Sequence, residues 1–511
     1  MTSLSRRIAF LTGASVSALG VAFPAAAATV PGVLDVQVGP NVTDTLAISN
    51  LGDPPATYGV DDFQLVSATA VVNSPASGEF EQAYLATGVA PASGYVDMEA
   101  VNLAPVTIRA VAGAWTSAFA SVATGVAQEG SGAADVEVDF VNSSSLDVFA
   151  LATATSALGV TGFATAVVGA GIVQQGFAGS SADVSLINGA IASLDIGATA
   201  NVQAFGADGI AVAAVGAGIV QTALAGTAAS VDINNDGTIE IDAAASADAT
   251  GTGTAVAVAV VSAGANQFAL GSAANAAIAN SGSFSVNADA QAFADTGVAV
   301  ASAIVGAGVN QFALGTSAGV GLANVGTMSI GANANAIAAT GTAVANALVA
   351  DGINQFAIGT VASAALTNDG TIDVVADANA GGWTAASANA TVIQAIAQGA
   401  TGLSASLNLV NNGTVNVTAS AGAPGTATAA AANAQLGSTA GTQGIIHQAA
   451  AGSTVDISLT NAGTIDLNAV ATASGFISAA ANAALQFGVF QNGIGPDVTL
   501  DLSNSGSIDA E

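Results

Sequence analysis

The sequence predicts an all-β protein, a right-handed β-solenoid (β-helix) of stacked coils. Three observations lead there. One residue frame recurs along most of the chain, side chains between its turns alternate with period two, and the composition lacks what a helical protein of this size would need.

The frame is a glutamine, three or four residues, a glycine, six residues, a branched aliphatic, three residues and a second glycine. It reads Gln221/Gly226/Ile233/Gly237, Gln267/Gly271/Ile278/Gly282, Gln311/Gly315/Leu322/Gly326 and Gln355/Gly359/Leu366/Gly370. It continues as Gln398/Gly402/Leu409/Gly413, Gln448/Gly452/Leu459/Gly463 and Gln491/Gly495/Leu502/Gly506. Successive final glycines lie 45, 44, 44, 43, 50 and 43 residues apart, and weaker copies begin at Gln128 and Gln174. A sub-repeat, Gly253/Val260/Gly264, Gly297/Ile304/Gly308 and Gly341/Leu348/Gly352, divides the period. It predicts two coils, one short and one long, in each repeat of about 45 residues.

Strands follow from alternating runs such as Ala255-Val256-Ala257-Val258-Ala259 and Phe284-Ser285-Val286-Asn287. Turns follow from Asn-x-Gly-Thr/Ser units such as Asn235 to Thr238 and Asn368 to Thr371, where glycine and asparagine accept positive φ at little cost. Alanine would favour helix, but frequent glycine, abundant Val and Thr, and the lack of cations to solvate a helical face outweigh it. The uncharged stretch 253–279 could suggest a membrane span, yet it contains Gly264, Asn266 and Gln267 and recurs as a repeat.

Stacked coils would align equivalent side chains about 4.8 Å apart. Alanine suits the narrow interior, and Ile, Leu, Val and Phe its wider parts. Gln221, Gln267, Gln311, Gln355, Gln398, Gln448 and Gln491 are expected to form an amide ladder, each donating to the next coil and accepting from the last. Asn266, Asn310 and Asn354 should form a shorter ladder, and Phe268, Phe312 and Phe356 an aromatic row. The turn glycines Gly237, Gly282, Gly326, Gly370, Gly413, Gly463 and Gly506 complete the set of structural positions.

Residues 1–28 read as a signal peptide: Arg6 and Arg7, an apolar stretch from Ile8 to Phe23, and small residues Ala25 to Ala28 before the expected cleavage. Segment 29–105 holds seven of the ten prolines and all three tyrosines, and is expected to be an N-terminal β-rich cap or small domain. Residues 106–511 form the repetitive solenoid.

Beyond the signal, Arg109 is the only basic residue against 34 acidic ones. Such a chain repels phosphate backbones, which excludes nucleic-acid binding, and repels anionic membranes. No membrane span is expected in the mature chain. With no cysteine, neither disulfides nor thiolate metal sites contribute.

Catalytic and metal motifs fail on inspection. Asp232 to Gly237 opens like a calcium loop, but Ala243 stands where the closing Glu should be. Weak calcium binding elsewhere on the acidic surface stays open; no cofactor is expected. Gly315-Thr316-Ser317-Ala318-Gly319 fits a serine nucleophile elbow, but the sole histidine, His447, lies three repeats away. No carboxylate cluster beside aromatics suggests glycoside chemistry, and Trp115 and Trp383 are far apart.

The Asn-x-Gly-Thr-Ile units within long Ala/Val/Thr alternation resemble repeat regions of Gram-negative autotransporter passengers and large surface adhesins. The Gln and Asn spacing, as in Val173-Gln174-Gln175-Gly176, is also similar to curlin-type repeats. The missing C-terminal barrel strands and the doubled period depart from the two groups respectively. The resemblance implies an exported, non-enzymatic structural or adhesive protein of a cell surface or biofilm matrix. Its partners would be itself or other surface and matrix components, with the periplasm as the alternative compartment. A binding module for polysaccharide, ice or calcium, or a surface-lattice subunit, is the rival function.

Overall fold

The computed structural model describes residues 105–132, 134–437 and 444–511, together with strands Leu34–Val36, Asn41–Asn50, Val66–Val71, Ala76–Val89 and Val96–Asn102. The expected signal segment, 1–28, lies outside the described residues. So does much of the expected cap at 29–105, although its five described strands pair in parallel with strands further along the chain.

Every regular element among the described residues is a strand, and every pairing is parallel. Each repeat supplies a long strand, a short strand and a third strand, as in Gly209–Ala225, Ala228–Asn235 and Thr238–Thr250. The next repeat supplies Ala255–Leu270, Ala273–Asn280 and Ser283–Ala294. Gly209 lies opposite Ala255, Ala228 opposite Ala273, and Thr238 opposite Ser283. The short strands make one ten-stranded sheet, and the long and third strands belong to another of twenty-three.

The chain meets itself only after a whole repeat, so one repeat is one coil and the expected division into one short and one long coil is corrected. The sub-repeat misled because Gly264, Gly308 and Gly352 are not turn residues. They sit inside long strands, where the in–out alternation slips. A branched side chain of the same coil's third strand presses into the space they leave. A Cβ on Gly308 would lie 2.4 Å from Cδ1 of Ile330, and one on Gly264 2.4 Å from Cγ2 of Val286. Gly253, Gly297 and Gly341, by contrast, do mark a corner, the one between third and long strands.

Alanine lines the narrow interior in continuous columns. Ala166, Ala213, Ala259 and Ala303 are paired in register and fully buried. Larger residues fill the space under the third strands, where Ile196, Ile241, Val286 and Ile330 stack. The interior forms two apolar clusters. One lies mainly between long and third strands, and the other lies where the end of the long strand meets the start of the short one.

One coil is longer than its neighbours. Val392 pairs with Leu436 and Ile396 with Ile446, so 437–445 are inserted where 393–395 stand in the previous coil. The following coil returns to the short connection, with Leu436 opposite Leu485 and Ile446 opposite Val489. Register resumes on both sides of the insertion. No helix among the described residues is long and apolar enough to cross a membrane.

Candidate functional site: amide ladders and outer faces

The glutamines stand at the boundary between the two apolar clusters, on the inward side of the long strands. Gln221, Gln267, Gln311, Gln355 and Gln448 are fully buried, and Gln398 nearly so. Each Nε2 donates to Oε1 of the glutamine one coil earlier at 2.8–3.0 Å, from Gln174→Gln128 through to Gln491→Gln448. The same amide also donates to a carbonyl of the short strand across the core, for example Gln221 to Asp232 and Gln311 to Gly321, both at 2.9 Å. A buried amide is thereby satisfied in both directions. The donor direction is corrected from the expectation, because the short-strand carbonyl lies where the amide nitrogen must point.

A second buried ladder was not foreseen as such. Asn102, Asn142, Asn188, Asn235, Asn280, Asn324, Asn368, Asn411, Asn461 and Asn504 end the short strands, and each Nδ2 donates forward to the next Oδ1 at 2.7–2.8 Å. Each also donates to the carbonyl that opens the next coil's third strand, as Asn235 does to Ser283 at 2.9 Å. These are the asparagines of the Asn-x-Gly-Thr units. The sequence marked them as turn residues, whereas their work is to hold the corner from within. The two ladders run in opposite senses, glutamine donating toward the N-terminus and asparagine toward the C-terminus.

The glycine of the same unit is required by close approach. A Cβ on Gly282 would lie 2.0 Å from the Gly237 carbonyl oxygen, and Gly326, Gly370, Gly413, Gly463 and Gly506 each meet the preceding glycine's oxygen at 1.9–2.0 Å. Gly237 itself would meet the carbonyls of Gly189 and Ala192 at 2.3 Å. None of these seven has positive φ, so the conformational explanation is corrected to a steric one.

On the outer side of the long strands, Asn310 donates to Asn266 at 3.1 Å and Asn354 to Asn310 at 3.2 Å. The rings of Phe268 and Phe312 stack with centroids 5.4 Å apart, and those of Phe312 and Phe356 at 5.8 Å. The row stops at Gly399, whose Cβ would stand 2.2 Å from the Phe356 ring.

The third and short strands carry the carboxylates. Asp147, Asp195 and Glu240 align in one column on successive coils. Burial, then Glu240 and Asp147, push Asp195 up to about 6. Burial, then Glu240, Asp289 and Asp195, push Asp242 up to about 7. On the short strands burial raises Asp139 to about 6, opposed by a hydrogen bond from Ser185 and reinforced by Glu137 and Asp183. Asp183, Asp232, Asp248 and Asp289 are also raised, with burial the largest cause. Oδ1 of Asp289 has no hydrogen-bond partner among the described residues.

No group of three or more His, Asp or Glu among the described residues is placed to hold a metal ion. Asp232 and Asn234 lie on an extended strand, and Asn235 is buried in its ladder, so this segment cannot wrap a cation as a loop does. His447 occupies the column of Asn354 and Ala397. Its ring lies 5.4 Å from that of Phe490, Gln394 Nε2 is 3.2 Å from its Nδ1, and burial lowers its pKa. Ser317 opens a short strand. Comparison of the chain with protein-family models, with curated proteins and with solved structures finds no match in any of the three.

Proposed function

We propose that this is an exported structural or adhesive protein of a bacterial cell surface or biofilm matrix, acting as a rigid rod without catalysis. The observation that carries the reading is the pair of buried amide ladders running through successive coils. Such cross-coil bonding resists bending and local opening, and it spends the chain's polar residues on rigidity rather than on a site. A formal charge of −31 keeps the rod soluble and separate from anionic surfaces. We take the winding as right-handed, the hand that crossovers between parallel strands favour. The outer side of the long strands from Gly162–Ala178 to Ala385–Thr401, which carries one carboxylate, Asp351, favours the surface-lattice variant of this reading over a calcium-binding one.

Antibody against the purified protein should label intact cells or their matrix, and electron microscopy of the protein should show rods. Label confined to the cytoplasm overturns the proposal, as does hydrolysis of a polysaccharide that is lost on substituting a single carboxylate.

A further inference from the structure

The solenoid inverts the usual distribution of apolar side chains. Along the first part of the long strands alanines stand inside and larger residues outside, with Val261, Val305 and Val349 beginning the wider interior beyond them. In Ala255–Leu270, Ala255, Ala257 and Ala259 are buried while Val256, Val258 and Val260 face outward. The outward positions continue in columns across coils, Val260–Ile304–Leu348 and Leu270–Leu314–Ile358 beside the phenylalanine row. Among the six long strands from Gly162–Ala178 to Ala385–Thr401 there is one charged residue, Asp351.

Six strands at sheet spacing, each of about sixteen residues, cover roughly 25 Å by 50 Å, on the order of 1,200 Å². A stable dimer buries about 800 Å² on each partner.

We infer that this face is a self-association surface, on which a second copy of the chain packs sheet to sheet. The inference deepens the structural reading above and rests on it by naming the chain itself as the partner. Charge makes the choice of partner. Two copies at −31 repel wherever their short and third strands meet, and the long-strand face lets them touch with Asp351 as the one carboxylate that the six strands of each copy contribute. A cationic partner would be drawn to the acidic sides instead. Pitch supports the same choice. The columns form ridges one strand apart, and another copy presents ridges of the same spacing, so two faces interdigitate about 10 Å apart, as packed sheets do. Such a pair buries its valines, leucines and phenylalanines and turns both acidic sides to water.

Sedimentation velocity of the purified protein tests this. The wild type should sediment as a dimer at micromolar concentration. Val258→Glu with Ile304→Glu should weaken association at least about tenfold, since like charges meet across the contact. Ser285→Glu with Ser329→Glu, outward on the third strands, should leave it unchanged. The cysteine-free background supplies a measurement that needs no disruptive substitution. A bifunctional maleimide should link Val258→Cys between copies and should not link Ser329→Cys. A wild type monomeric throughout the micromolar range overturns the inference, as does equal cross-linking from both positions. Monomers that float with phosphatidylcholine vesicles assign the face to lipid and overturn it too. Failure of surface labelling with the dimer intact would remove the cellular role alone.

Discussion

A glutamine inside the ladder has two neighbours that depend on it. Gln311 donates to Gln267 and accepts from Gln355, so Gln311→Leu strands an acceptor on one side and a donor on the other. The expected loss is about 2–4 kcal/mol, the cost of two buried unpaired groups, read as a lower denaturation midpoint. Glycines divide by the space above them. Gly326→Ala places a methyl 2.0 Å from the Gly282 oxygen and should prevent the coils from stacking there, whereas Gly321 has nothing within 4 Å. Gly321→Ala should therefore be neutral or stabilise by about 0.5 kcal/mol through the unfolded chain. Asp242 holds its proton more tightly folded, at about 7, than unfolded, at 3.8. The folded state then carries more protons between those values, and stability falls as pH rises through that window. Thermal melts should show a higher midpoint at pH 4 than at pH 8. Asp242→Asn should recover about 2 kcal/mol at pH 8 and little at pH 4.

At the scale of the coil, the repeat unit can be tested by deletion. Removing 283–326 joins Gly282 to Thr327, which pairs with Ser283 and so takes its place at the start of the third strand. The shortened chain should fold with both ladders continuous, seen as an unchanged β-type circular dichroism per residue. Removing 253–270, a complete short coil in the two-coil reading, deletes an entire long strand and should leave insoluble or unfolded protein. The glutamine frame was legible because a buried ladder tolerates few residue types. The coil boundary was not. Gly264 relieving Val286 and Gly253 turning a corner write the same letter for different steric reasons, and spacing cannot tell them apart. The asparagine ladder was visible only as turn chemistry, because Asn235 suits a turn equally well when its amide faces inward. The carboxylate column Asp147–Asp195–Glu240 was hidden by irregular letters, Ser285 and Ser329 continuing it without charge.

Across the whole molecule the sides differ in charge, and acid should act on them unequally. As pH falls below about 6, the raised carboxyls on the short and third strands take up protons and the repulsion between rods weakens. Light scattering should show association increasing from pH 8 to pH 5 while the melting temperature rises. Scattering that is flat, or that grows only as the protein unfolds, would contradict this. Neither trend was readable from composition, which gave the total charge but not its concentration away from the long strands.

The longer coil at 437–445 has a practical meaning for a rod of this kind. Extra chain enters between the partners of Val392 and Ile396, within the register of a long strand, and the next turn takes up that register as though nothing had been added. Length along the axis is thus counted in coils, while the length of chain between two registered stretches can vary independently. The molecule behaves as a graduated shaft with sockets, on which a peptide grafted at 437–445 would be held at a known height without disturbing the marks above or below it.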